Sequence, residues 1–132
     1  MYTNIIKYFQ YLCKNGHFEL AKWLLDIKPD IDISADNEDA FRCSCRRGHL
    51  ELAKWLLDIK PNINISIDNE YAFRWSCENG HLEIARWLLN IKPDIDISTA
   101  NEYAFRWSCE NGHLETIKWL LDIKPNIDIS AD

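Results

Sequence analysis

The sequence predicts an all-α solenoid of four stacked helix-turn-helix repeats, joined by short extended hairpin connections. The main observation is a 32-residue period that fills nearly all of the 132 residues. Each unit carries a Gly-His pair, then a Trp, a Leu-Leu pair and a Lys-Pro pair in constant register. The Gly-His pairs are Gly16-His17, Gly48-His49, Gly80-His81 and Gly112-His113. A period of this length is typical of arrays in which each unit buries its apolar face against its neighbours.

Composition predicts an ordered, water-soluble array. We expect a single domain over residues 1–132, with repeats at residues 5–36, 37–68, 69–100 and 101–132. Hydrophobic residues make up 47% of the chain, which is enough to build a core and argues against disorder. No apolar run reaches membrane-spanning length, and the first residues lack the basic and apolar regions of a signal peptide.

Charge and cysteine usage narrow the partners and the compartment. A net charge of −6 argues against nonspecific binding to nucleic acid or to an anionic membrane, because both favour a basic surface. Five cysteines are an odd number, and four of them share one repeat position, so they do not indicate a disulfide framework. We expect reduced thiols and a cytoplasmic location, with the cytoplasm of a host as the more specific reading.

The third repeat shows how the helices of each unit are predicted from the sequence. Residues 69–79 predict a first helix, capped by Asn69, with Glu70 in the first turn and a C-terminal Asn79-Gly80. Residues 81–90 predict a second helix that is apolar over much of its circumference, as expected for a helix covered by neighbours on both sides. Pro93 ends it, and residues 94–98 alternate polar and apolar side chains like a short extended stretch.

The run from Glu78 to Leu89, Glu-Asn-Gly-His-Leu-Glu-Ile-Ala-Arg-Trp-Leu-Leu, closely resembles the ankyrin repeat. The resemblance covers residues 5–132, and the Gly-His-Leu-Glu and Leu-Leu elements match in phase. The usual unit has about 33 residues, so one is missing here, near the hairpin tip. This implies a shortened finger and a first helix that begins early. The variant is similar in style to ankyrin repeats abundant in large DNA viruses of amoebae.

The resemblance implies a protein-binding scaffold whose first-helix ends and hairpin tips line a concave surface. Differences between repeats then mark the candidate contacts, because repeated positions describe the scaffold. We expect a basic part followed by an acidic part with exposed tyrosines beside the tips. The candidate partner-binding residues are Lys14, Arg46, Arg47, Tyr71, Glu78, Tyr103 and Glu110. Solvated helix ends with no binding role are the alternative reading of the same charges.

Catalytic and metal chemistry is not expected. Cys-x-x-x-His recurs in every unit, as in Cys77 and His81, and supplies ligands suited to zinc. Copies 32 residues apart lie about 10 Å apart along a stack, too far to converge on one ion. Four near-identical copies offer neither a unique nucleophile nor a pocket, so we expect no enzyme activity and no cofactor.

Three further expectations concern columns of equivalent residues, and a fourth concerns the oligomeric state. Each Arg of the first helix, such as Arg74, should pair with the Glu four residues earlier and stack on a neighbouring aromatic ring. The tryptophans of the second helices should form a stacking ladder. Ankyrin proteins can be hydroxylated at a hairpin Asn, and Asn64 alone stands at the matching position. A monomer is expected, with end-to-end self-association as the alternative function, although Thr116 replaces an apolar residue in the last helix.

Overall fold

The computed structural model describes residues 2–127, with side chains from Asn4 onward. Eight helices lie within these residues, and they alternate between the first and second helices of the four predicted repeats. Their bounds are α1 Tyr2–Lys14, α2 Phe18–Ile27, α3 Ala35–Arg47, α4 Leu50–Ile59, α5 Ile67–Glu78, α6 Leu82–Ile91, α7 Thr99–Glu110 and α8 Leu114–Ile123. The chain forms two compact units, Met1–Asn64 and Ile65–Asp132, each with two repeats. The all-α prediction is confirmed.

In the first unit, α1 packs against both α2 and α3, and α3 packs against α4. Repeat two covers repeat one through Trp55, whose ring centroid lies 6.3 Å from that of Phe9 and 5.6 Å from that of Phe18. Phe9 and Leu52 are almost completely buried. The apolar face of one repeat is therefore buried against the next, as the period predicted.

The second unit repeats this arrangement with α5 packed against α6 and α7, and α7 against α8. Trp119 lies 6.1 Å from Phe73, the counterpart of the contact between Trp55 and Phe9. Each of these tryptophans thus packs on a phenylalanine of the preceding repeat. For Trp55 and Trp119, the expected stacking takes the form of these Trp–Phe contacts.

A Gly in the left-handed region follows the end of each first helix by one or two residues, as predicted. Gly80 has φ +75°, and its counterparts share this conformation. The His that follows begins the next helix and reaches back to the preceding repeat: in the first unit a ring nitrogen of His49 lies 3.0 Å from the carbonyl oxygen of Lys14. The Gly-His pair therefore both ends a helix and joins neighbouring repeats.

The start of each first helix differs from the prediction. Asp68, Asn69 and Glu70 all adopt left-handed helical angles, with φ between +56° and +61°, and right-handed helix resumes at Tyr71. Asn69 is therefore not the N-cap, and Glu70 does not lie in the first turn of the right-handed helix. The same three-residue left-handed turn occurs at residues 36–38 and 100–102. Such conformations cost about 1–2 kcal/mol per non-glycine residue, so this turn needs external support.

An arginine supplies part of that support. Nε of Arg74 donates to the carbonyl oxygen of Asn69 at 2.8 Å, and Nη2 donates to that of Asp68 at 3.1 Å. Arg42 makes the same two bonds to the equivalent turn in the first unit. The expected pairing of Arg74 with Glu70 is wrong, because the guanidinium binds these carbonyls while Glu70 accepts the N–H of Asp96 at 3.2 Å. Reversal of the backbone at Glu70 removes the helical i,i+4 relationship that the pairing required.

The connection after each second helix consists of tight turns. In the third repeat, the N–H of Ile95 donates to the carbonyl oxygen of Lys92 at 3.2 Å, and Ile95 is buried. Residues 2–127 contain no strand. The alternation of polar and apolar residues here places one isoleucine inward without forming a β-ladder.

Candidate protein-binding surface

The basic candidates lie at the C-terminal ends of two neighbouring helices. Lys14 is the last residue of α1, and Arg46 and Arg47 are the last two of α3, which packs beside α1. Lys14 and Arg47 are exposed, and Arg46 is half-buried. Cations at helix C-termini are stabilised by the helix dipole, so these three side chains carry positive charge at little energetic cost.

Four aromatic rings form a continuous row across α5 and α7 in the second unit. Ring centroids are 5.6 Å apart between Tyr71 and Trp75, 6.0 Å between Trp75 and Tyr103, and 5.9 Å between Tyr103 and Trp107. These tilted contacts lie within the range favoured by aromatic pairs. We call these four residues the aromatic row.

The row alters the predicted exposure of three candidates. Tyr71 and Tyr103 were expected to be exposed, but both are half-buried because each packs against tryptophan rings. Glu78 was expected on the surface, but it is only 8% exposed and its Oε1 accepts the hydroxyl of Tyr103 at 3.0 Å. Asn111 also donates to the backbone carbonyl of Glu78 at 2.9 Å. Glu78 therefore positions Tyr103 as part of the contact between repeats three and four.

The expected stacking of an arginine on a neighbouring aromatic ring is confirmed at Arg74. Its guanidinium carbon lies 4.6 Å from the ring centroid of Tyr103, within cation–π range. Tyr103 is thus held by Trp75, Glu78 and Arg74 together, which fixes the orientation of its ring.

The last two members of this surface remain accessible. Trp107 is 37% exposed, and Glu110, one turn later on α7, is exposed. Together with Phe105, Arg106 and Cys109 they line a shallow groove of about 300 Å³. An indole beside a carboxylate can accept a cationic or hydrogen-bond-donating side chain from a partner.

Sequence reasoning missed Trp75 and Trp107 as members of the surface. The signal was available, because Tyr71/Trp75 and Tyr103/Trp107 are both four residues apart on one helix face. Repeat two has Asp39 and Cys43 at these positions, and the Cys43 thiol lies 3.6 Å from the Asp39 carboxylate. The aromatic row is consequently a property of the second unit.

The cysteines occupy structural positions. Cys13, Cys45 and Cys77 are fully buried, and burial raises the pKa of each thiol, to about 12 for Cys13. Cys109, at the same repeat position, is exposed. In the part of the chain that the structure describes, no group of three or more His, Cys, Asp or Glu residues could hold a metal ion. Within residues 2–127, no helix is both long enough and apolar enough to cross a membrane.

Comparison with known proteins agrees with this architecture. The family described as ankyrin repeats (many copies) matches residues 9–57, and ankyrin repeats (3 copies) matches residues 60–132. No curated protein sequence matches the chain. Among solved structures, an ankyrin repeat family protein from Legionella pneumophila is 31% identical, with a TM-score of 0.73 over 86% of this chain. The chain spans 36% of that protein's length. Ankyrin repeats generally serve as protein–protein interaction modules, and this chain belongs to the ankyrin repeat family.

Proposed function

We propose that the protein is a non-catalytic scaffold that binds a partner protein through its first helices, on the face that the family resemblance predicts to be concave. The contacts are assigned to the seven residues chosen from sequence, extended by the two tryptophans of the aromatic row. They are Lys14, Arg46, Arg47, Tyr71, Trp75, Tyr103, Trp107 and Glu110, and Glu78 takes part through its support of Tyr103. The organisation of residues 1–132 as a single domain stays a prediction.

The observation that carries this proposal is the aromatic row. Four rings in tilted contact present rigid apolar area with polar atoms at the margins, and tyrosine and tryptophan are among the residues most enriched at energetically important interface positions. Because Glu78 and Arg74 already hold Tyr103 in place, little side-chain entropy is lost when a partner covers the row.

The charges of the two units suit different segments of a partner protein. The first unit has nine basic and nine acidic residues, whereas the second has six basic and twelve acidic, a net charge of −6. The basic helix ends Lys14, Arg46 and Arg47 suit an acidic segment of the partner. The aromatic row with Glu110 suits an apolar or basic segment.

The finer biological setting is also part of the proposal. The 32-residue repeat style, similar to that of large DNA viruses of amoebae, supports a viral protein that engages a host factor in the cytoplasm. The buried thiols, which require no oxidising compartment, are compatible with that location. Because the family generally consists of scaffolds, we assign neither a catalytic residue nor a cofactor.

Affinity capture from amoebal lysate followed by mass spectrometry tests the proposal. Three baits are compared: the unmodified chain, an Arg46→Glu/Arg47→Glu variant and a Trp107→Ala variant. Arg47 and Trp107 are accessible and Arg46 is half-buried, so the fold should survive, and circular dichroism checks this. We expect a prey protein that the unmodified chain captures and that both variants lose by tenfold or more, about 1.4 kcal/mol.

A charge-matched control separates a specific contact from general electrostatics. Arg86→Glu changes an exposed arginine on the second helix α6, away from the proposed surface. It should retain the prey. Equal capture by all four baits would refute binding through the first helices.

A second candidate function is self-association. Repeats one and four expose large apolar side chains, among them Tyr8, Tyr11, Trp23 and Leu114, each at least 58% exposed. Clusters of this kind are typical of interaction sites on soluble proteins. Sedimentation velocity over a concentration series tests this candidate, and a monomer throughout would exclude it.

A further inference from the structure

Contact between repeats three and four shows how one repeat receives the next. On the receiving side, Phe73 and Cys77 are completely or almost completely buried, and Gly80 leaves a notch filled by the ring of His113. On the covering side, Trp119 packs on Phe73. The first unit repeats this pattern: Trp55 packs on Phe9 and Phe18, the ring of His49 fills the notch at Gly16, and Cys13 and Leu52 are buried.

Repeat four carries the same receiving residues in an uncovered state. Phe105 is half-buried, although its three counterparts are at most 1% exposed. Cys109 is exposed, although its three counterparts are fully buried. Apart from Gly112 and its two chain neighbours, no described residue has a heavy atom within 4 Å of a Cβ built on Gly112, and Leu114 is 58% exposed. We call these four residues the receiving face.

Repeat one carries the covering residues, also uncovered. His17 is exposed, Leu20 is 51% exposed and Trp23 is 58% exposed. Their counterparts in repeat two are His49, Leu52 and Trp55, and Leu52 is only 2% exposed. We call His17, Leu20 and Trp23 the covering face.

We propose that the receiving face of one copy of the chain binds the covering face of a second copy, head to tail. This proposal rests on the self-association candidate and specifies which two surfaces meet. The occupant is a second copy because both halves of an interface already used within the chain are present, with the same residue types, on its uncovered faces. Charge agrees with this assignment. Lys7 stands at the position of Tyr103, so it meets Glu110 of the other copy just as Tyr103 meets Glu78.

One difference sets the strength of the contact. Tyr8 and Leu12 stand where Ala40 and Ser44 lie in repeat two, and both of those smaller residues are buried. The larger side chains hold the first helices of two copies farther apart than the first helices within the chain. The second helices and the Gly112 notch therefore carry most of the contact, and association is expected in the micromolar range and not tighter.

Two face variants test the geometry. Trp23→Glu disables the covering face and Leu114→Glu disables the receiving face, and both side chains are 58% exposed, so the fold is retained. Sedimentation velocity is run on the 132-residue chain from roughly 1 to roughly 300 µM, a range that brackets micromolar dissociation constants. We expect the unmodified chain to associate with rising concentration and each variant alone to stay monomeric. A mixture of the two variants should form a one-to-one dimer that grows no further, because one intact face of each kind remains.

Matched controls come from an isoleucine position that stays exposed whether or not another repeat packs beside it. Ile27, Ile59, Ile91 and Ile123 are 50%, 42%, 37% and 39% exposed, so their exposure hardly depends on whether a repeat has a neighbour. Ile27→Glu and Ile123→Glu place the same charge on α2 and α8, and both should associate like the unmodified chain. If they abolish association equally, repulsion explains the loss and the proposal is wrong.

The remaining outcomes distinguish failure of the head-to-tail geometry from failure of self-association itself. A variant that still associates by itself shows a symmetric contact, which overturns the head-to-tail geometry and leaves self-association standing. A mixture that stays monomeric also overturns the geometry. An unmodified chain that is monomeric at every concentration overturns both.

Discussion

The imidazole of His113 occupies the space where a side chain at Gly80 would begin. A Cβ built on Gly80 would lie 2.6 Å from Nδ1 of His113, closer than real Cβ atoms approach other heavy atoms. The same relationship joins Gly16 to His49 in the first unit. The Gly and the His are adjacent in each motif, but in the contact between two repeats the Gly of one repeat meets the His of the next.

This relationship predicts unequal costs for one substitution at two glycines. Gly80 and Gly112 share φ +75°, so alanine causes the same backbone strain at both. Gly80→Ala additionally forces His113 away, whereas nothing among the described residues lies within 4 Å at Gly112. We expect Gly80→Ala to lower the free energy of unfolding by about 1–3 kcal/mol more than Gly112→Ala, measured by urea denaturation.

A double variant supplies the control. Adding His113→Ala to Gly80→Ala should recover most of the extra loss, since the clash disappears. Equal destabilisation by the two glycine substitutions would mean that backbone strain alone accounts for the effect.

The left-handed turn before α7 predicts a stabilising substitution. Ala100 has φ +56°, a conformation that costs an alanine about 1 kcal/mol and a glycine almost nothing. Ala100→Gly should therefore raise the free energy of unfolding by about 0.5–1 kcal/mol, measured by thermal or urea denaturation. Ala35→Gly is the control, because the φ of Ala35 is not positive and glycine should destabilise there by a similar amount. A loss of stability in both variants would contradict the left-handed assignment.

Two buried glutamates at equivalent positions, Glu70 and Glu102, predict unequal changes in stability when their charge is removed. Oε2 of Glu102 lies 3.0 Å from Nζ of Lys124, and the two side chains are 9% and 27% exposed. Glu102→Gln leaves the lysine without its partner charge and should cost about 1–3 kcal/mol. Glu70 accepts the N–H of Asp96, while its buried Oε1 has no hydrogen-bond partner among the described residues.

Glu70→Gln keeps an acceptor for that N–H and removes a buried charge. We expect a change within about 0.5 kcal/mol, or a small gain in stability. Urea denaturation of the two variants under one buffer condition compares them directly. A cost at Glu70 equal to that at Glu102 would show that the charge of Glu70 is needed.

Cysteine accessibility predicts a selective alkylation pattern. Burial raises the pKa of Cys77 and leaves its thiol inaccessible, so it should resist iodoacetamide in the folded protein, as should Cys13 and Cys45. Cys109 should react first because it is exposed. Partial burial also raises its pKa above the usual value of a thiol, so its rate should be low at neutral pH and rise in alkaline solution, where the thiolate forms.

Mass spectrometry of dilute protein after timed alkylation measures the pattern. Cys109→Ser should leave Cys43, which is half-buried, as the next site. Early modification of Cys77 would show that the contact between α5 and α7 opens more readily than its burial implies.

Particular elements show which parts of the architecture could be predicted. The period, both helices of each repeat and the Gly80 helix end follow from local patterns that recur in register. The left-handed turn could not be predicted, because Asp68, Asn69 and Glu70 are residues that also begin ordinary helices. Support for that turn comes from Arg74, several residues farther along the chain.

The candidate surface, too, was predicted from the sequence only in part. The sequence identified Tyr103 and Glu78 through differences between repeats, but treated them as two separate surface groups. Glu78 accepts a hydrogen bond from Tyr103, 25 residues farther along the chain, and thereby holds the tyrosine in place. Trp107 joined the surface only when its ring was found beside that of Tyr103.

By itself the sequence determined the class of fold, the number of repeats and the residue types available for contacts, because helix periodicity and glycine conformation are local properties. Only the tertiary structure decided which of these side chains contact one another, because the partners lie in other elements that are distant in the sequence. Glu70 and Tyr103 illustrate the reason: a short-range rule paired Glu70 with Arg74 of the same helix, whereas Glu70 accepts the N–H of Asp96 and Tyr103 donates to Glu78 of the preceding repeat.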